Sequence, residues 1–155
     1  MAIKATAMSD AAVSISRVVS ATPERVFEAW TRSEQIEQWF GPPGYNVTAV
    51  KMDARVDGEY ELRMQPPGDS DPTRSIVGRF TEVSAPDRLA FTWAWVDKSG
   101  NAPDDQESVV TIEFHRHRDG TDVRLTHERL GSKEARAAHE AGWTASFEKL
   151  VGHFA

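Results

Sequence analysis

The side chains able to do chemistry fall on a few short segments. In GTDVRLTHE (120–128), His127 follows Val123 and Leu125 at spacings of four and two, the alternation that puts all three on one face of a strand. An imidazole in phase with apolar neighbours points inward, and burial lowers its pKa below the ordinary ~6.5. Such a neutral ring can bond a ligand carbonyl or hydroxyl or act as a general base. It can equally be a core histidine satisfied by a protein partner. Glu128 has the opposite parity, which argues against a His127–Glu128 dyad. His139 lies four residues before Trp143, so the two share a helical face. It would either bond near a pocket mouth or pack between helix and sheet. Gly142, inside the same helical pattern, costs roughly 1 kcal/mol relative to Ala. Close approach of the helix to the sheet, or room for a ligand, would offset that cost.

Other polar groups point to less. His115 and His117 have the i, i+2 spacing of a chelating pair, but they share parity with Thr111 and Glu113 on the outer face and are interleaved with Arg116 and Arg118. A solvated hairpin is the simpler reading. Asp104, Asp105 and Glu107 could hold a hard cation, although a solvated acidic loop accounts for them as well. No HExxH segment and no phosphate-binding glycine loop is present, and no serine has an evident His/Asp partner. No metal and no cofactor is expected.

Composition narrows the classes. The chain has 155 residues, 18 Lys+Arg against 24 Asp+Glu and a net charge of −6. That length suits one domain with a core and a modest pocket. The acidic balance argues against a nucleic-acid platform. The absence of cysteine rules out disulfides, Fe–S ligation, thiolate zinc sites and cysteine nucleophiles. No run approaches the ~20 apolar residues of a membrane span; the most apolar stretch is LAFTWAWV (89–96). The N-terminal segment has no apolar h-region and carries Asp10. A soluble cytoplasmic protein, with no membrane partner, is expected. Five tryptophans imply a bulky core or an aromatic-lined cavity.

The elements that would position these groups follow from periodicity. Residues 1–11 read as a flexible leader and 12–155 as a single domain. A first strand runs from Val13 to about Ser20. Thr22-Pro23-Glu24 opens a helix with Val26, Phe27 and Trp30 on its buried face. A second short helix follows from Ser33, with Ile36, Trp39 and Phe40, and Gly41-Pro42-Pro43-Gly44 stops it. Six strand patterns come next: 45–53, around Tyr60–Met64, around Ile76–Phe80, Leu89–Trp95, Val110–Phe114 and Val123–His127. Asp57-Gly58, Ala85-Pro86-Asp87 and Asp119-Gly120 mark turns between them. Ser132 caps a long terminal helix with a period near 3.6. The fold class is α+β: a curved antiparallel sheet wrapped around a long C-terminal helix, with two short helices after the first strand.

This order is that of the helix-grip fold, and the residues go further. TPERVFEAWTRSEQIEQWFGPPG, DARVDGEYELRM, GRFTEVSAPDRLAFTWAWV, ESVVTIEFHRHRDGTDVRLTHERL and HEAGWTASFEKL occur in this order across residues 13–154. Together they resemble the family homologous to the activator of the ninety-kilodalton heat-shock-protein ATPase, within the START/birch-pollen-allergen-like (SRPBCC) superfamily. WFGP, FTWAW, LTHE and HEAGW carry the resemblance most specifically. Val56-Asp57-Gly58 stands where similar members carry Pro-Gly-Gly, which implies a different hairpin tip on the same fold. The resemblance implies a cavity between helix and sheet, in a superfamily that binds or transforms lipids, polyketides, hormones and other apolar molecules.

Parity then gives the candidate lining. Phe91, Trp93, Trp95, Ile112, Phe114, Leu125 and His127 share one sheet face, and Trp143 and Phe147 face them from the helix. Trp30 and Trp39 close one end, with His139 near the mouth. An aromatic concavity with few polar groups is the usual form of a small-molecule site, though alternation is the same for a filled core. The expected function is non-enzymatic binding of a small apolar or aromatic molecule. An alternative is an enzyme of this fold, a cyclase, dehydratase or hydrolase-like protein using His127. Another is a stress-related interaction module with a chaperone partner. A second copy of the chain is a further candidate partner, since symmetric dimers are common.

Overall fold

A computed structural model describes residues 12–68, 73–97 and 107–155. The leader and the Asp104–Asp105 pair lie outside the described residues. The elements run β1 (Val13–Val19), α1 (Pro23–Thr31), α2 (Ser33–Trp39), β2 (Asn46–Met52), β3 (Glu59–Gln65), β4 (Arg74–Ser84), β5 (Arg88–Asp97), β6 (Ser108–His117), β7 (Gly120–Glu128) and α3 (Lys133–His153). Seven strands form one antiparallel sheet in the order β1-β7-β6-β5-β4-β3-β2. Strand β1 pairs with β7, placing Val13 opposite His127, so β1 and β2 lie at opposite edges. The short helices α1 and α2 therefore carry the chain from one edge of the sheet to the other.

Local chemistry sets the boundaries. The Thr22 side chain accepts a hydrogen bond from the Arg25 amide at 3.3 Å, and Pro23 takes the first helical position, where no amide donor is needed. Arg32 is extended and separates α1 from α2. Gly41, at φ +97°, turns the chain out of α2 in a conformation that side chains rarely adopt. Strand β2 is shorter than the pattern suggests, because the Tyr45 amide is drawn into a turn by the Pro42 carbonyl. At the β2–β3 tip Asp57 has φ +68°, and a Cβ on Gly58 would lie 2.0 Å from the Asp53 carbonyl oxygen. The tip differs from Pro-Gly-Gly and the fold is kept. The Ser132 hydroxyl caps α3 by accepting from the Ala135 amide at 3.1 Å.

The sheet is curved, with bulges between Ala49 and Lys51 and between Phe80 and Glu82. Helix α3 lies in its concave side and packs against β1 and α2. The inward positions of β6 and β7 (Val110, Ile112, Phe114, Val123 and Leu125) are buried beneath it, as alternation predicts. Strand β5 departs from simple alternation, since Ala90 and Thr92 are buried as well as Leu89, Phe91 and Trp93. Thr92 is engaged from both β4 and β3: the Arg79 amide donates to its hydroxyl at 3.0 Å, and the Tyr60 hydroxyl donates to its carbonyl.

Candidate functional site

A cavity of about 580 Å³ lies between α3, the α2–β2 connection and the β3–β5 part of the sheet. This volume is within the range of small-molecule sites. The connection contributes Phe40, Gly41, Pro42 and Tyr45, and the sheet contributes Met64, Arg74, Ile76, Trp93 and Trp95. Helix α3 contributes Ala138, His139, Gly142, Trp143 and Ser146. The floor, including Ile76, Trp93 and Trp143, is buried, whereas Arg74 and Ala138 at the rim are exposed.

The helix leaves this space because of three small residues. Ala138, Gly142 and Ser146 recur every four positions and line one stripe of α3. A Cβ on Gly142 would meet nothing within 4 Å. Of the two reasons for a glycine here, the structure shows room rather than close approach to the sheet. The connection is pinned to the helix across this stripe. The Gly41 amide donates to the Ser146 hydroxyl at 3.1 Å, and the Lys149 ammonium donates to the carbonyls of Phe40 and Gly41 at 3.4 and 3.2 Å. Burial lowers the Lys149 pKa below its ordinary value.

Two tryptophan-to-histidine hydrogen bonds organise the aromatic wall. Trp143 donates its indole N–H to His127 Nδ1 at 3.0 Å. That bond requires a bare Nδ1, so the other ring nitrogen of His127 carries the proton and donates to Ser108 Oγ at 2.7 Å. Ser108 in turn donates to the Trp93 carbonyl at 3.2 Å. The chain of bonds thus has one direction and leaves neither ring nitrogen of His127 open. The ring is fully buried, and its pKa is pushed down to about 3, chiefly by desolvation and then by repulsion from His139. On the second bond, Trp95 donates to His139 Nε2 at 3.0 Å, and His139 Nδ1 contacts the Ala135 carbonyl at 2.6 Å. Over the Trp95 ring lies the Arg74 guanidinium, 4.6 Å from the ring centre.

The candidate residues are therefore divided. Trp93, Trp95, His139 and Trp143 come together on the cavity wall. Trp30 and Phe91 instead border a second, much smaller space of about 20 Å³ behind Trp93. Both Trp30 and Trp93 have buried indole N–H groups without a hydrogen-bond partner among the described residues. Trp39 does not close the large cavity; it is buried and donates to the Ala29 carbonyl at 2.9 Å. Ile112, Phe114, Leu125 and Phe147 fill the core where α3 lies directly on the sheet. His127 faces inward, as its parity predicts, but sits behind Trp93 and Trp143 rather than in the cavity. The rim residues Tyr45 and Arg74 and the small stripe of α3 belong to the site without having been candidates, Gly142 apart. His115 is exposed and contacts Glu113 at 2.8 Å. His117 accepts from the Asp119 amide at 3.0 Å. Among the described residues no group of three or more His, Asp or Glu side chains could hold a metal ion.

The fold and this cavity define a helix-grip domain of the START-like class. Residues 20–155 match the family described as Activator of Hsp90 ATPase homolog 1-like protein, and the chain belongs to that family. An AHSA1 protein from Silicibacter pomeroyi is 28% identical, with a TM-score of 0.80 over 92% of this chain and 96% of its own. A protein from Chromobacterium violaceum is 25% identical, with a TM-score of 0.79 over 93% of this chain and 97% of its own. An AHSA1-like protein from Aeromonas hydrophila, 24% identical, shares the fold with a TM-score of 0.70 over 91% and 90% of the two chains. No protein of curated function matches the chain. Among the described residues no helix is long and apolar enough to cross a membrane.

Proposed function

We propose that the protein binds a small apolar or aromatic molecule in the cavity between α3 and the β3–β5 part of the sheet. The observation that carries this reading is the space itself. It measures about 580 Å³, has Trp93, Trp95 and Trp143 on its wall, and is kept open by the Ala138–Gly142–Ser146 stripe. Aromatic faces supply contact area at little entropic cost. Binding without turnover fits the state of the two histidines nearest the site, because His127 and His139 each have both ring nitrogens in contact with protein groups. A base that must take a substrate proton needs a nitrogen within reach of it. The large exposed hydrophobics among the described residues are Val18, Val50 and Val56, which are scattered singly as on any soluble surface. They give no support to docking of a protein partner.

The test is a thermal-shift screen of apolar and aromatic metabolites against the natural chain and Gly142→Leu. A ligand at 100 times its Kd adds about 2.7 kcal/mol, roughly 5–10 °C for a domain of this size. Hits should shift the natural chain and lose most of the shift in Gly142→Leu. No shift across the panel, or shifts that survive the substitution undiminished, would remove the proposal.

A further inference from the structure

The cavity carries a charge asymmetry that its apolar walls do not require. In a chain of net charge −6, no Asp or Glu among the described residues lines it. Among the described lining residues Arg74 is the one that is permanently charged, and it forms no ion pair with any described side chain. The guanidinium is held over the Trp95 ring, and Trp95 is held in turn by its hydrogen bond to His139, itself anchored on the Ala135 carbonyl. Arg74 is thus placed at the rim by a succession of contacts reaching back to the helix backbone. The hydroxyls of Tyr45 and Ser146 are the side-chain oxygens among the described lining residues.

We infer that the ligand is an amphipathic organic monoanion: an aromatic or aliphatic body seated on Trp93 and Trp143, with a carboxylate or equivalent single negative charge at Arg74. This rests on the binding reading above and specifies its chemical class. A planar guanidinium offers a fork of donors that matches a carboxylate, and a charge-assisted bond is about twice as strong as a neutral one. The cation–π contact with Trp95 holds the guanidinium at the rim, and a group with five N–H donors still has some to offer an anion. A single permanent cation among the described lining residues suits a monoanion better than a phosphate dianion. A positively charged ligand would meet Arg74 with no carboxylate among the described lining residues to compensate it.

The experiment uses two fluorescent probes with the same ring skeleton, neutral N-phenyl-1-naphthylamine and its monoanionic counterpart 8-anilinonaphthalene-1-sulfonate. Both are titrated into the natural chain, Arg74→Gln, Arg74→Lys and Gly142→Leu at low salt. The anionic probe should bind at least tenfold tighter than the neutral one. That ratio should fall about tenfold in Arg74→Gln, fall less in Arg74→Lys, and shrink in the natural chain as salt is raised. As a carboxylate check, 1-naphthaleneacetate should displace the bound probe at concentrations where 1-naphthaleneacetamide does not. Equal affinities, or a ratio unmoved by both Arg74→Gln and salt, would overturn the inference and leave the cavity reading standing. Anion binding that persists in Gly142→Leu would mark a surface site and overturn it too. If neither probe binds, the cavity reading fails and the inference with it.

Discussion

The indole N–H of Trp143 meets Nδ1 of His127 at 3.0 Å, and this contact fixes the state of the histidine. Nδ1 must be unprotonated to accept, so the proton resides on the opposite nitrogen and is given to Ser108. Trp143 thereby presents its ring to the cavity while its polar edge is anchored in the core. The histidine that the sequence leaves open as core residue, ligand contact or base is bonded at both ring nitrogens and braces an aromatic wall.

A pH dependence follows. In the folded chain His127 takes up a proton only near pH 3, whereas in the unfolded chain it does so near the ordinary ~6.5. Between those values the unfolded state binds more protons, so stability rises with pH across this window. The contribution is complete above about pH 6.5 and is lost progressively as pH falls toward 3. By pH 4.5 the loss is on the order of 2–3 kcal/mol. Urea unfolding at pH 7.5 and 4.5 should show a difference smaller by about that amount in His127→Gln than in the natural chain. An unchanged difference would show that another group governs the acid limb.

Removing the next member of the bond chain isolates its structural share. Ser108→Ala leaves the His127 N–H donor buried and unsatisfied, at a cost of about 1–3 kcal/mol. The urea midpoint at pH 7.5 should drop accordingly, and a drop within ±0.3 kcal/mol of zero would contradict the assigned direction of the bonds.

Gly142 gives a prediction with two readouts of opposite sign. Ala or Leu at this position meets no neighbour at Cβ and raises helix propensity, so Gly142→Ala should stabilise the chain by about 0.5–1 kcal/mol. Gly142→Leu should be at least as stable as the natural chain while binding the neutral naphthylamine probe at least tenfold more weakly. A destabilised Gly142→Ala would mean that the glycine is needed for packing after all.

The alternation of apolar residues made the sheet face legible, His127 included, because a strand's side chains must point to one side or the other. The helix grip, the caps at Thr22 and Ser132, and the two short helices were equally legible, since each rests on local chemistry. Which part of the concave face is filled was not. Leu125 and Trp95 have the same parity, yet one lies beneath α3 and the other at its open flank, a difference set by where the helix rests on a curved sheet. The Ala138–Gly142–Ser146 repeat was the available signal for the open flank. Arg74 gave none. Its place depends on a diagonal cross-strand neighbour, since Trp95 pairs with Ile76 and is reached by Arg74 from two positions earlier on β4.

Lys149 tests the rim. Its ammonium holds the carbonyls of Phe40 and Gly41, which closes the end of α2 and keeps the connection against α3. Lys149→Met preserves the apolar stem and removes the bonds, so about 0.5–1.5 kcal/mol of stability should be lost. Neutral-probe affinity should fall as well, read from a fluorescence titration. Stability lost with affinity intact would separate the clamp from the site.

The most direct measurement is an ¹H–¹⁵N spectrum of the five indole N–H groups during titration with the neutral naphthylamine probe. Ligand in the cavity should move the signals of Trp93, Trp95 and Trp143, which line it, and leave Trp39, bonded to the Ala29 carbonyl deep in the core, in place. Saturation without movement of the three cavity signals, or movement confined to Trp39 and Trp30, would contradict the assignment of this cavity as the binding site.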